Sequence, residues 1–272
     1  MKDEKGVIAE AAAPRRAARS GPTPVGGKLV DRVLAGAARD RAKDQASRLP
    51  KLTLTLDQIV TLEMIATGVL SPLDGYPGSR DYASILDRGR LADGTPWTLP
   101  PTLAPADDDG RRVLDGVREG DALALVDQAG SAVAILHVQE KYGFDKNERA
   151  QKLFGTTERR HPGVDATFRR LGDVSLAGPI DLIEKTHWGP FEKHRLEPKD
   201  AWRLFHEVRG WNTVVAFQTA NPLHRGHEHL QKCALEIFDG LFIHPVVETT
   251  RRAYFRNEFR IHAYEVALRE YF

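Results

Sequence analysis

Residues 213–230 read TVVAFQTANPLHRGHEHL, and this stretch decides the fold of the region around it. Residues 214–217 are continuously apolar, which is typical of a strand covered on both faces in a parallel sheet. A turn at Asn-Pro follows, and a helix is predicted from about His224. A second apolar run, LFIHPVV, occupies residues 241–247. Strand, helix and strand fill residues 213–247, the length of a βαβ unit, so the sequence predicts a parallel α/β fold.

Three amphipathic helices are predicted in this half of the chain. The helix that starts at about His224 extends to about residue 238 and carries one apolar stripe at helical spacing. The stripe consists of Leu230, Cys233, Ala234, Ile237 and Phe238. A helix over residues 257–272 is predicted to turn Phe259, Ala263, Val266 and Ala267 inward. Pro198 and Asp200 signal the start of a helix over AWRLFHEVRG, which ends at Gly210.

The preceding residues, 26–190, show a different pattern. Their apolar runs are short and are punctuated by Gly and Pro, which favours a mostly β domain, barrel-like or sandwich-like. Residues 121–126 and 132–138 are predicted strands around a Gln-Ala-Gly turn. The stretch PKLTLTLDQIVTLEMIATG begins with alternating apolar and polar residues. A helical pattern follows, with Ile59, Leu62 and Ile65 on one face. Residues 1–25 are rich in Ala, Arg, Pro and Gly and are predicted to form a disordered tail.

Composition excludes several classes of protein. Apolar residues make up 41% and charged residues 28% of the 272 residues, as in ordinary soluble proteins, and the formal net charge is +1. That charge does not suggest a surface for nucleic acid or membrane. Cys233 is the only cysteine, so no disulfide can form within the chain, and a cytoplasmic location is predicted. No apolar run approaches the length of a membrane-spanning helix.

The chemistry is predicted at the turn QTANPLHRGH. In open α/β sheets, ligands bind beyond the carboxyl ends of the strands, and this turn also leads into a helix N-terminus that suits phosphate or sulfate. His224 and His227, three residues apart, can share one face and donate to a phosphate oxygen in a transition state. Gly226 leaves space for a base or phosphate near the backbone. A metal-binding histidine pair and surface histidines without a role are the alternatives.

Several separated stretches resemble one family, the ATP sulfurylases or sulfate adenylyltransferases. They are SPLDGYPGSRDYASIL, RLADGTPWTLPPTL, FGTTERRHPGV and GWNTVVAFQTANPLHRGHEHL, in the family's order. The resemblance implies a mixed fold, in which a PUA-like β-rich domain at residues 26–190 precedes a partial Rossmann-like nucleotidyltransferase domain at residues 191–272. It also implies that ATP and sulfate react to give adenylyl sulfate and pyrophosphate, with Mg²⁺ accompanying the ATP.

The resemblance also implies the roles of the site residues. Gln218 matches the glutamine that contacts sulfate, and Thr219 and Asn221 match the next active-site positions. His224 and His227 match the two histidines that stabilise the pentavalent phosphorus. Thr219, Asn221, His224 and His227 are therefore the predicted catalytic residues; Gln218, Ala220, Asn221 and Arg225 are predicted to bind ATP and sulfate. No metal-ligating residue is predicted, and a homo-oligomer is left open.

Two departures from the family pattern qualify this assignment. Ala220 stands where the family has an arginine that touches sulfate and phosphate, and Glu248 stands where it has glycine. Arg251, Arg252 and Arg256 are candidates to replace the missing charge. Family members also continue past the position of Phe272, so poor turnover is expected of this chain alone. A nucleotidyltransferase that uses another oxyanion, and an impaired member with a binding or regulatory role, are the alternative functions.

Overall fold

The computed structural model describes residues 23–187, 189–247 and 255–272. The chain divides into two compact units, with the boundary between His187 and Trp188. The predicted tail, residues 1–25, lies outside the described residues except for its last three. No helix within the described ranges is both long enough and apolar enough to cross a bilayer.

The N-terminal unit is built on a mixed six-stranded sheet. Its strands are β1 (Lys51–Thr53), β2 (Gly75–Tyr76), β3 (Ala122–Val126), β4 (Ala132–His137), β5 (Glu140–Gly143) and β6 (Val174–Leu182). The order is β1-β3-β4-β6-β2, and β5 also pairs with β6. Only the β1–β3 pair is parallel among these described strands. The two strands predicted around the Gln-Ala-Gly turn are confirmed as β3 and β4.

Six helices accompany this sheet in the described part of the unit. They are α1 (Gly36–Arg48), α2 (Leu56–Ala66), α3 (Ser79–Arg88), α4 (Asp108–Gly116), α5 (Lys146–Phe154) and α6 (Pro162–Arg170). The mostly β interpretation therefore underestimates the helical content. Several of these helices are only nine residues long, too short for a strong periodic signal, and two of them begin at an aspartate cap, Asp107 or Asp145.

The predicted helical face of α2 is confirmed, and it explains how the core forms. Thr55 and Gln58 form a capping box that satisfies backbone donors at the start of the helix. Ile59, Leu62 and Ile65 are then buried in the main apolar cluster, together with side chains of β1, β3, β4 and β6. This single core spans both the helix and the sheet.

The C-terminal unit contains the predicted βαβ unit. Its elements are α7 (Pro198–Trp202), β7 (Val214–Thr219), α8 (Arg225–Leu235), β8 (Gly240–Pro245) and α9 (Asn257–Glu270). Residues 203–208 continue α7 as a π-helical turn, and the chain leaves it at Gly210, whose φ of +66° glycine adopts readily. β7 and β8 are parallel, with Val214 opposite Gly240 and Thr219 opposite Pro245. The parallel α/β prediction is confirmed.

The burial predicted for β7 and α8 is wrong. No residue of 214–217 is fully buried, because a sheet of two strands has two edges and little area to be covered. The stripe predicted on α8 is largely exposed as well: Leu230 is 59% and Ile237 78% accessible, and Cys233 and Phe238 are exposed. The buried residue of the helix is instead Gln231.

The inward face of α9 also differs from the prediction. Ala267 is buried as predicted, Ala263 and Val266 are half-buried, and Phe259 is exposed. Arg260 is buried because its guanidinium donates to the Val246 carbonyl just after β8 and to the Asn257 side chain at 3.2 Å. The prediction treated arginine as a polar, outward-facing residue. The predicted buried face of α9 is therefore rotated by about one residue from the observed one.

The starts of β7 and β8 are joined through Asp239. Its Oδ2 accepts from the backbone N–H groups of Asn212 and Thr213 and from the Thr213 hydroxyl, each at 3.0 Å. We expect Asp239→Ala to lower the free energy of unfolding by about 1–2 kcal/mol, because three donors lose their partner at a solvent-accessible position. Urea denaturation measures this loss. Asp239→Asn keeps one acceptor oxygen and should lose less, and an equal loss for Glu236→Ala, an exposed neighbour, would contradict the explanation.

Candidate active site

The predicted site residues lie where β7 ends and α8 begins. Gln218 and Thr219 are the last residues of β7, and the next four residues form the turn. His224 is the N-cap of α8, and Arg225 is its first residue. The turn therefore brings backbone donors of a helix N-terminus to the carboxyl edge of the sheet, an arrangement that suits an anion.

The two predicted histidines are in direct contact. The rings of His224 and His227 are stacked, with centroids 3.7 Å apart and planes 26° from parallel. Phe217, from β7, meets the His227 ring edge-on at 5.3 Å. His224 Nδ1 accepts from the Gly226 N–H at 3.2 Å. Because Nδ1 is the acceptor, the neutral His224 ring carries its proton on Nε2, which is left as a donor.

Gly226 lies directly beneath the His224 imidazole. A β-carbon at this position would lie 3.1 Å from Cε1 of His224. The room that the missing side chain leaves is therefore used by the His224 imidazole as it folds back over the first turn of α8. The predicted use of this space by a nucleotide base or phosphate stays a prediction.

The environment of His227 keeps its imidazole neutral. Desolvation lowers the pKa of His227, and the neighbouring His224 lowers it further, while a hydrogen bond with the Pro222 backbone acts in the opposite direction. Its Nδ1 is buried and has no hydrogen-bond partner in the described part of the chain. A neutral imidazole has one N–H, which in His227 can donate either to the Pro222 carbonyl or to a developing charge.

We expect the His227 ring to titrate below the ordinary histidine range, and His224→Ala to raise its pKa. The unfolded chain then binds the proton first, so this group's contribution to stability is complete above about pH 6.5, the unfolded pKa. It is lost as the pH falls toward the folded pKa. NMR titration of the imidazole protons measures both shifts. A His227 pKa above that of a model peptide, or one unaffected by His224→Ala, would contradict this account.

A second contact at the sheet edge involves a residue that the sequence did not single out. Gln218 Nε2 lies 3.0 Å from Nδ1 of His244, and the two residues are register partners at the ends of β7 and β8. The sequence predicts a strand over LFIHPVV and gives His244 no role in the site. Its position opposite Gln218 depends on strand register, which a single sequence does not specify.

The remaining predicted residues are placed as follows. Thr219 Oγ1 accepts from the Asn221 N–H at 3.1 Å, which shapes the turn. Ala220, Asn221 and Arg225 are exposed. Glu228, which was not among the predicted site residues, lies in the first turn of α8 and pairs with the Lys232 ammonium at 2.6 Å.

Of the three arginines that are candidates to replace the missing charge, the structure describes Arg256. Arg256 is the N-cap of α9, and its guanidinium lies over the Phe259 ring, 5.4 Å from the ring centre. Glu248, Arg251 and Arg252 lie outside the described residues. Within the described residues, no group of three or more His, Cys, Asp or Glu side chains is arranged to hold a metal ion.

Comparison with known proteins assigns both parts of the chain. The family model of the PUA-like domain matches residues 22–185. The family model described as ATP-sulfurylase matches residues 192–272, the range that contains the stacked histidines.

Relatives with curated descriptions extend this similarity over most of the chain. A sulfate adenylyltransferase of Symbiobacterium thermophilum is 44% identical over 92% of this chain and 62% of its own length. A sulfate adenylyltransferase of Halothermothrix orenii is 40% identical over 92% of this chain and 64% of its own. The chain thus spans less than two thirds of these relatives.

A solved structure, a hexameric APS kinase from Thiobacillus denitrificans, has a similar fold. It is 28% identical to this chain with a TM-score of 0.69, over 92% of this chain and 44% of that one.

Proposed function

The chain belongs to the ATP-sulfurylase family, and from that premise we propose that it takes part in sulfate adenylyl transfer. In this reaction ATP and sulfate give adenylyl sulfate and pyrophosphate. The observation that carries the proposal is the stacked pair of His224 and His227 at the N-terminus of α8, directly beyond the carboxyl end of β7. The substrates are inferred from the family match, and the catalytic role is inferred from the histidine pair.

The proposed step needs no nucleophile from the protein. An oxygen of sulfate forms a bond to the α-phosphorus while the bond from that phosphorus to the bridging oxygen of the β-phosphate breaks, and the electron pair leaves with pyrophosphate. No proton has to move. The protein must bring two anions together and neutralise the charge that develops on the equatorial oxygens of the phosphorus.

We assign that neutralisation to the two histidines. His224 offers its Nε2–H, since its Nδ1 is already an acceptor from Gly226. His227 lies against it and remains neutral near pH 7, so the pair does not suffer the repulsion of two imidazolium ions. Donors that are held in place before the reaction stabilise charge without a cost of reorganisation.

The other residues are proposed to hold the substrates. Gln218 is proposed to contact sulfate, and its hydrogen bond to His244 orients its amide. Thr219 and Asn221 are proposed to shape the turn around the reacting groups, and the exposed Arg225 to bind ATP phosphate. Ala220 lies in the same turn but offers no charge.

Family members act on ATP, a chemistry that generally involves a divalent metal. We propose Mg²⁺ as that metal. The described side chains do not fit a protein-held magnesium site, because no carboxylate cluster lies among them. Magnesium would therefore arrive on the phosphates of ATP, and none of the steps above depends on it.

We further propose a cytoplasmic protein and a homo-oligomer. The domain assignment is also a proposal, with a PUA-like domain at residues 26–190 and a catalytic domain from residue 191. The single exposed cysteine fits a reducing compartment, and the related kinase structure is a hexamer. Sedimentation of the purified protein tests the oligomer directly, and a monomer at micromolar concentration would reject it.

A second candidate function is adenylyl transfer to a different oxyanion. Ala220 favours it, because the residue removes the guanidinium that the family uses for sulfate. Pyrophosphate release should be measured on the purified protein with ATP and, in separate reactions, sulfate, selenate and phosphate. Release that requires sulfate supports the first function, and release that requires another anion supports the second. ATP binding without any release would reject both and indicate a binding role.

A further inference from the structure

The N-terminal unit contains an open groove that the proposed reaction does not use. Its volume is about 1120 Å³. The lining includes residues 96–102, PWTLPPT, which belong to a family-like stretch for which adenylyl transfer has no role. Met64, Leu70 and Tyr76 add further apolar surface. The groove is thus lined largely by aromatic, aliphatic and proline side chains.

One buried cation lines this groove without a counter-charge. Arg149 is only 6% accessible, yet no carboxylate within residues 23–187 lies at ion-pair distance from it. Its Nη1 donates to Thr102 Oγ1 at 3.2 Å and its Nη2 to the Pro100 carbonyl at 3.3 Å. Its Nε has no hydrogen-bond partner among the described residues. The guanidinium carbon also lies over the Tyr82 ring, 5.6 Å from its centre, so the contacts of this buried cation are with neutral groups. A bound anion would add the opposite charge that these neutral groups do not supply.

The other charged residues of the groove already have partners. Arg170 is paired with Asp57, and Arg169 lies 2.8 Å from Asp165. Asp107 accepts from the backbone of α4 as its N-cap. Among the three arginines of the groove, Arg149 is therefore the one without a carboxylate partner in the described residues.

A second buried polar group lines the same groove. The Tyr76 hydroxyl is inaccessible and has no hydrogen-bond partner in the described part of the chain, and the residue is only 4% exposed. Desolvation raises its pKa, so it stays protonated and remains a donor. Tyr76 Oη and Arg149 Nε are thus two buried donors of one groove that have no acceptor among the described residues, and an acidic ligand could supply one.

We propose that this groove binds a small organic anion, with one acidic group and an apolar or aromatic body. The acidic group is held by Arg149 and receives a hydrogen bond from Tyr76. The body lies against Trp97, Leu99 and the neighbouring prolines. One negative charge matches the one uncompensated cation, and the apolar lining excludes inorganic sulfate or phosphate as the preferred ligand.

The test compares two dyes of the same shape. Anilinonaphthalene sulfonate carries one negative charge, and phenylnaphthylamine is its uncharged counterpart; both fluoresce when they bind apolar surface. The full chain should bind the sulfonate in a saturable manner and more tightly than the neutral dye. Inorganic sulfate at the same concentration should not displace it.

Three variants decide the assignment. Arg149→Met should weaken binding of the sulfonate about tenfold to hundredfold, the scale of one charge-assisted hydrogen bond, and leave the neutral dye nearly unchanged. Leu99→Glu places a negative charge at an exposed position of the lining without disturbing the core. It should weaken the sulfonate more than the neutral dye, because the neutral dye loses only an apolar contact. Arg112→Met removes the same charge from an exposed site outside the groove and should have no effect.

Each other outcome overturns the proposal. If Arg149→Met weakens the binding of both dyes equally, Arg149 only shapes the groove. If neither Arg149→Met nor Leu99→Glu changes sulfonate binding, the dye binds elsewhere on the protein. Thermal unfolding of each variant shows whether it is folded. If Arg149→Met does not fold, Leu99→Glu decides the question alone, because its residue is exposed.

Discussion

Replacement of His227 by alanine lowers kcat of the proposed adenylyl transfer by roughly 10²–10³-fold, while the affinity for ATP changes much less. The expected loss is that of a donor which acts on the transition state. His224→Ala has a similar effect and also removes the cap of α8, so part of its loss appears as lower thermal stability. The measurements are steady-state pyrophosphate release, in whichever form of the protein shows activity, and ATP binding by calorimetry.

His229→Ala is the matched control for both substitutions. This histidine lies in the same helix and is exposed, and its ring lies near Cys233 rather than near the stacked pair. It should retain full activity. An effect of His224→Ala and His227→Ala that is confined to KM would mean that the pair only binds substrate, and the proposed role in the transition state would be wrong.

Ala220→Arg is expected to tighten sulfate binding about tenfold to hundredfold, the gain from a charge-assisted hydrogen bond worth roughly 1.5–3 kcal/mol. Ala220 is exposed in the bend after β7, so the backbone accepts a long side chain there. The new guanidinium would lie beside Gln218 and Asn221, next to the N-terminus of α8. Calorimetric titration with sulfate, in the presence of a non-hydrolysable ATP analogue, measures the gain.

Two variants at the same position separate charge from bulk. Ala220→Met adds length without charge and should give no gain, and Ala220→Lys adds charge without the bidentate fork and should gain less than arginine. Unchanged or weaker binding in Ala220→Arg would reject the idea of a vacant anion contact. It would favour another arginine in that space, or a different acceptor in place of sulfate.

The sequence predicts the elements of the C-terminal unit well, because their patterns are local. An apolar run, an Asn-Pro turn and a helix start lie within residues 213–230, and the structure has β7, the turn and α8 there. The predicted contact of His224 with His227 is found, although His224 precedes the helix as its N-cap rather than lying within it. These features depend on neighbours in the chain and require no knowledge of the rest of the fold.

The features that the sequence does not predict depend on distant residues. The pairing of Gln218 with His244 requires the register of two strands, and burial of Arg260 requires the Val246 carbonyl as an acceptor. The exposure of Leu230 depends on which side of α8 meets the sheet, and apolar spacing alone points to the opposite answer. Unpaired Arg149 is equally invisible, because a sequence shows a charge but not the absence of its partner.

The parallel pairing of β7 and β8 has a consequence for how the site comes into being. Gln218 and His244 are separated by 26 residues, and every link between the two strands must close a loop that includes α8. Closing such a loop lowers the conformational entropy of the chain before any contact between the strands can form. The contact between Gln218 and His244 therefore has no partly formed precursor in the unfolded chain, and an anion that binds at the proposed site beside it favours the folded state. Under the proposed function, a substrate anion then stabilises the fold, and each increase in its concentration shifts the population toward the native state.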